Sequence, residues 1–89
     1  MNDIYAELSE LNPEALTADG FEEAYIGWVE GWFEQHRTFV ACYDRAKCIE
    51  ILMQDMDEDE AEEYFEFNTA GAYMGKYTPL FLVRKDGLD

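Results

Sequence analysis

Two runs of strand-forming residues separated by four polar ones do most to limit what this chain can become. From Glu23 to Phe33 the residues Tyr25, Ile26, Trp28, Val29, Trp32 and Phe33 favour extended backbone, and Thr38 to Tyr43 do the same. The intervening Glu34-Gln35-His36-Arg37 reads as a hairpin loop of about four residues, so the two strands are expected to be antiparallel neighbours. Gly27 and Gly31 inside the first run point to a bulge or a closely approaching neighbour.

Helical periodicity follows. Asp44 stands where an N-cap belongs, and Ile49, Leu52, Met53 and Met56 are spaced i, i+3, i+4 and i+7, the apolar stripe of a helix over about Arg45 to Gln54. Asp57 and Glu60 have the spacing of a capping box, with Asp in place of Ser or Thr, and open a second helix whose apolar face is Ala61, Tyr64, Phe65, Asn68 and Ala72. Gly71 and Gly75 loosen that helix. Thr78-Pro79 then separates it from a third strand, Leu80 to Arg84, whose four successive apolar residues suggest a central position. Upstream, Asn12-Pro13 reads as the N-cap and first position of a short helix that Asp19-Gly20 ends.

The expected architecture is one α+β domain spanning residues 1–89. A three-stranded antiparallel sheet carries a helical hairpin on one face, in the order short α-β-β-α-α-β. With 89 residues there is room for a single core, and 48% apolar content closes it in spite of the charge.

That charge is −15, far beyond the magnitude of about 2 to 8 that suffices for solubility. Such a field repels nucleic acid and anionic membranes and draws in basic surfaces. Direct nucleic-acid binding and membrane binding are therefore not expected; a basic, nucleic-acid-binding protein is the expected partner. The acids fall in two base-free blocks, residues 1–36 and 48–75, each carrying nine. The second is the denser, with Asp55, Asp57, Glu58, Asp59, Glu60, Glu62, Glu63 and Glu66. Residues three and four apart are neighbours on a helix, so Asp59, Glu62, Glu63 and Glu66 form a solvent-facing ridge. Acids in the first turn gain from the helix dipole; Glu63 and Glu66 lie beyond its reach. Carboxylates stepped this way rise about 5 to 6 Å apart, on the scale of phosphates along a nucleic-acid strand. Asp55, Asp57, Glu58, Asp59, Glu62, Glu63 and Glu66 are thus the candidate partner-binding set.

Trp28 and Trp32, four apart in a strand, share one face. Core packing is the first reading of that face; pointing away from the helices, it becomes a secondary interface for a partner or for self-association, as a monomer or a homodimer.

Chemistry finds little support. Asp55, Asp57, Asp59 and Glu66 fit positions of a calcium loop, but Glu60 replaces its turn glycine and a helical stripe crosses it. One histidine, His36, and two cysteines, Cys42 and Cys48, do not make a four-ligand zinc site. Ser9, the only serine, has no base near it in sequence, and carboxylate pairs are inevitable among 21 acids. The expectation is a protein that is not an enzyme, binds no metal or cofactor and encloses no pocket of several hundred Å³. No basic n-region with an apolar h-region follows Met1, so neither signal peptide nor membrane span is expected, and the two thiols suit the cytoplasm.

Asp19-Gly20-Phe21, Tyr43-Asp44, Lys47 to Met53, Glu60 to Asn68, Gly71-Ala72-Tyr73 with Gly75, and Thr78-Pro79 together resemble an uncharacterised family of small acidic proteins from bacteriophages and bacterial genomes. The likeness covers about two thirds of the chain. It departs at Asp55-Met56, where a Gly is expected before the Met, and in the tryptophan-rich hairpin. The family has no established activity, so it assigns no site residue. It implies a setting similar to that of phage inhibitors of host nucleic-acid-binding proteins, anti-CRISPR proteins and DNA mimics among them, acting in the host cytoplasm. The alternative is a small structural or regulatory module that associates through its aromatic hairpin, with charge serving solubility.

Overall fold

The computed structural model describes residues 4–33, 35–70 and 77–85. Its frame is the expected hairpin, β1 (Tyr25–Phe33) and β2 (His36–Asp44), paired antiparallel from Phe33 opposite His36 to Tyr25 opposite Tyr43. The loop is two residues rather than four. Gln35 accordingly takes φ 71°, the left-handed backbone that lets a two-residue turn follow the twist of its strands. His36 and Arg37 are polar because the strand begins in solvent, not because they form the loop.

Gly27 marks a bulge, as its glycine suggested. The register slips between Tyr25 and Gly27, leaving Ile26 as the extra residue, and Gly27 adopts φ 147°, where a side chain is strained.

The third strand, β3 (Leu80–Leu82), lies beside β2 and runs parallel to it, Cys42 opposite Leu80 and Asp44 opposite Leu82. The sheet order is β1-β2-β3. Two expectations are corrected: the sheet is mixed, not antiparallel, and the central strand is β2. The long connection from Arg45 to Pro79 contains both helices, which gives the chain enough length to return parallel. The strand apolar on both faces turns out to be β2, where Val40, Ala41, Cys42 and Tyr43 are all buried; in β3 only Phe81 packs against the core, while Leu80 and Leu82 are exposed.

Helices cover one face of this sheet. Asp44 caps α2 (Arg45–Leu52) through Oδ1, which accepts from the Ala46 N–H at 3.1 Å. The helix stops at Leu52, two residues earlier than its stripe implied, and Met53 is left half-exposed. Cys48 and Ile49 of α2 and Ala61 and Phe65 of α3 (Glu58–Phe65) meet Ala41 and Tyr43 of β2 in one buried cluster. Tyr64 and Asn68, expected on the buried face of α3, are exposed, because the helix contacts the sheet along the narrower Ala61–Phe65 line before passing into a π-helical turn over Glu66–Ala70. Ala72, Gly71 and Gly75 lie outside the described residues.

The N-terminal helix is the largest local correction. Helix α1 (Ala6–Leu11) precedes Asn12 instead of following it, and puts Leu8 into the core. Asn12 is its C-cap. Its buried amide donates to the Phe39 carbonyl at 2.8 Å and its Oδ1 accepts from Glu14 N–H at 3.1 Å, so the side chain turns the chain and ties α1 to β2. Asn and Asp side chains support turns as well as helix starts, and here the turn is what forms.

Edge-to-face aromatic contacts link these layers, from Tyr5 to Tyr25 (4.6 Å between centroids), Tyr25 to Tyr43 (5.6 Å) and Phe81 to Phe65 (5.0 Å). Tyr43 is the hub. Fully buried, it bonds the Tyr5 hydroxyl at 2.9 Å and accepts from the Ala18 N–H at 2.8 Å.

Candidate functional site

The capping box forms as the spacing required: Asp57 Oδ1 accepts from Glu60 N–H at 2.8 Å and Glu60 Oε1 from Asp57 N–H at 3.3 Å. It fixes where α3 begins, and therefore the angular position of every acid after it. All seven partner-binding candidates are exposed. Asp55 lies in the turn between the helices, Asp57 is the N-cap, Glu58 and Asp59 occupy the first turn, Glu62 and Glu63 the second, and Glu66 follows the last helical residue.

They are not equivalent. Asp57 is committed to the cap, where it satisfies an N–H that would otherwise be unpaired. Glu66 accepts from Arg45 Nη2 at 2.8 Å, and the same guanidinium sits 5.3 Å from the centre of the Phe65 ring. A position that the helix dipole could not explain is thus explained by a cation from α2. Among the described residues no base pairs with Asp55, Glu58, Asp59, Glu62 or Glu63. Four of these five make an unneutralised strip along about 7.5 Å of α3, and Asp55 adds a fifth carboxylate from the preceding turn.

On the Tyr64 side of α3, away from the strip, lies a groove of about 420 Å³ lined by residues that include Phe21, Ile51, Leu52, Tyr64, Asn68 and Phe81. It is a half-open groove rather than an enclosed pocket. Its described lining includes Asp19 and Tyr64 but no His, Cys, Lys or Arg. Phe67, on the same helical segment, is three-quarters exposed. Tyr64, which periodicity placed on the buried face, and Phe67 are thus exposed aromatics on this segment. The useful signal was their interleaving with acids that cannot be buried.

The tryptophans are not core. Cross-strand partners share a sheet face, so Trp28, opposite Ala41, and Trp32, opposite Arg37, do lie on one face, and it is the face that bears the helices. The helices α1 and α2 rest on β2 and leave β1 projecting, with Trp28 38% and Trp32 71% exposed. Between them Glu30 bonds Arg37 Nε at 2.9 Å.

The remaining chemical candidates are dispersed. His36 is exposed at the start of β2, while Cys42 and Cys48 are buried free thiols, as expected. Burial raises both thiols, Cys48 to about 12. The stretch that resembles a calcium loop is helix from Glu58 to Phe65. Among the described residues no three or more His, Cys, Asp or Glu side chains are grouped as metal ligands would be, and no helix is long and apolar enough to cross a membrane.

No family model matches this chain, and no curated protein or solved structure is detectably similar to it.

Proposed function

We propose that this protein is a non-enzymatic inhibitor that presents the α3 carboxylates to a basic, nucleic-acid-binding protein in place of nucleic acid. The observation that carries the reading is the uneven pairing along the helix: Arg45 pairs Glu66 and Asp57 serves as the cap, while Asp55, Glu58, Asp59, Glu62 and Glu63 stand exposed with no cation among the described residues. Like charges at these spacings cost about 0.2 to 0.5 kcal/mol per pair, a cost that an Arg- or Lys-lined groove would reverse. The phage setting, and a target of the kind met by anti-CRISPR proteins, comes from the sequence resemblance and from no geometric feature. Partner capture from host lysate, with and without competing duplex DNA, tests the reading. The captured protein should be displaced by DNA and released between about 50 and about 200 mM salt. It should no longer bind when Asp59, Glu62 and Glu63 are replaced by Lys in a chain that still folds. Capture indifferent to all three changes would sink the proposal.

A further inference from the structure

The sheet ends at β1 on a backbone edge that no described strand covers, and three features of that edge single out a second copy of this chain as its occupant. Edge strands are ordinarily protected by Lys, Pro, a central bulge or a very short length. β1 is nine residues long, contains neither Lys nor Pro, and has its bulge at Ile26–Gly27, so Trp28 to Phe33 is a regular strand whose outward N–H and C=O groups no described strand pairs. Charge is the second feature. In a molecule of net charge −15, the only acid of β1 is Glu30, and Arg37 already holds it at 2.9 Å. Repulsion between two such molecules is therefore small along this strand. The third is the pattern under a two-fold axis. An antiparallel pair centred on Val29 sets Gly27 opposite Gly31, so the backbones meet without side-chain obstruction, and sets Trp28 opposite Glu30, so no like charges face each other. Centring the pair on Glu30 would oppose two carboxylates.

We infer that β1 pairs antiparallel with β1 of a second copy about Val29, joining two three-stranded sheets into one of six and covering Trp28 and Ile26, which are 38% and 44% exposed in the single chain. This surface lies on the hairpin, apart from the α3 carboxylates, and the two respond oppositely to salt. Screening weakens the attraction of the acidic strip for a basic partner but relieves repulsion between two anionic copies.

Sedimentation velocity of the full chain across concentration and salt tests this. The expected mass is about twice 10.4 kDa, with dissociation on dilution and tighter association as salt rises. Trp28→Glu places a carboxylate opposite Glu30 at two symmetric positions and should weaken the dimer about tenfold, whereas Trp28→Lys places an ammonium there and should preserve it. Circular dichroism of both variants verifies the fold, and amide exchange in Gly27 to Phe33 should slow as concentration rises. A monomer under all conditions overturns the inference. So does a dimer that the two substitutions affect alike, or whose formation leaves exchange in β1 unchanged.

Discussion

Replacing Tyr43 by phenylalanine deletes one oxygen from the centre of the molecule and takes away the acceptor of the Ala18 N–H. The Tyr43 side chain is fully buried; its hydroxyl accepts from Ala18 N–H at 2.8 Å and lies 2.9 Å from the Tyr5 hydroxyl. Each bond contributes about 0.5 to 1.5 kcal/mol net, and a buried donor left without a partner costs about 1 to 3 kcal/mol. Ring packing against Tyr25 and Phe81 survives the change, so cavity terms are small. The expected loss is about 2 to 3 kcal/mol, a large share of the roughly 5 to 10 kcal/mol that a domain of this size holds. In urea, with a slope near 1.5 kcal/mol/M, the midpoint should fall by about 1.5 M at unchanged slope. Tyr5→Phe should cost less, because Tyr43 keeps its bond to Ala18, and the double variant should show a coupling of about 1 kcal/mol. A Tyr43→Phe midpoint within about 0.3 M of wild type, or a cost no greater than that of Tyr5→Phe, would refute the hub reading.

Tyr25 predicts the reverse: its hydroxyl is buried without a hydrogen-bond partner among the described residues, so Tyr25→Phe should leave the urea midpoint unchanged or raise it by the equivalent of about 1 kcal/mol. Gln35→Gly relieves the left-handed turn and should stabilise by about 1 kcal/mol in the same assay. Asp57→Ala removes the N-cap and should destabilise by about 1 kcal/mol while lowering helical ellipticity. Burial raises the Cys48 thiol to about 12 and also raises Cys42, Tyr5, Tyr25 and Tyr43, so the folded chain keeps protons that the unfolded chain releases near ordinary values. The resulting stability is complete below about pH 8.5 and is lost as pH rises toward 12; a urea midpoint that stays flat from about pH 8 to 11 would contradict this, as would rapid labelling of native thiols by a disulfide reagent.

Local rules made part of the fold legible. Runs of aromatic and β-branched strand formers located β1 and β2 to within about two residues, and the side-chain chemistry of Asp44, Asp57 and Glu60 located two helix starts to the residue. Direction was not legible: Leu80 to Leu82 carries the same residue pattern whether it runs with β2 or against it, and only packing of Phe81 against Phe65 and Tyr43 decides. The spacing of Trp28 and Trp32 correctly gave a shared face, but not how far the helices extend over it. Asn12 misled because one amide serves a helix start and a turn equally well. For the acidic strip, sequence gave the set of carboxylates but not their pairing. Arg45 is 21 residues from Glu66, and only the packing of α2 beside α3 brings them to 2.8 Å.

The parallel return of β3 has a kinetic consequence. Hairpins form in about 1 to 10 µs from contacts close in sequence, whereas Leu80 must find Cys42 across both helices, closing a loop whose chain entropy costs on the order of 3 kcal/mol. Against that stand three ladder positions, the Phe81 ring and the Arg84–Asp44 pair at 2.9 Å. During synthesis, β2 emerges long before the strand that will cover its second edge. By the same accounting β3 is expected to be the first strand that brief openings release, and such an opening would bare the Cys42 side of β2 while the hairpin and its helices stay assembled.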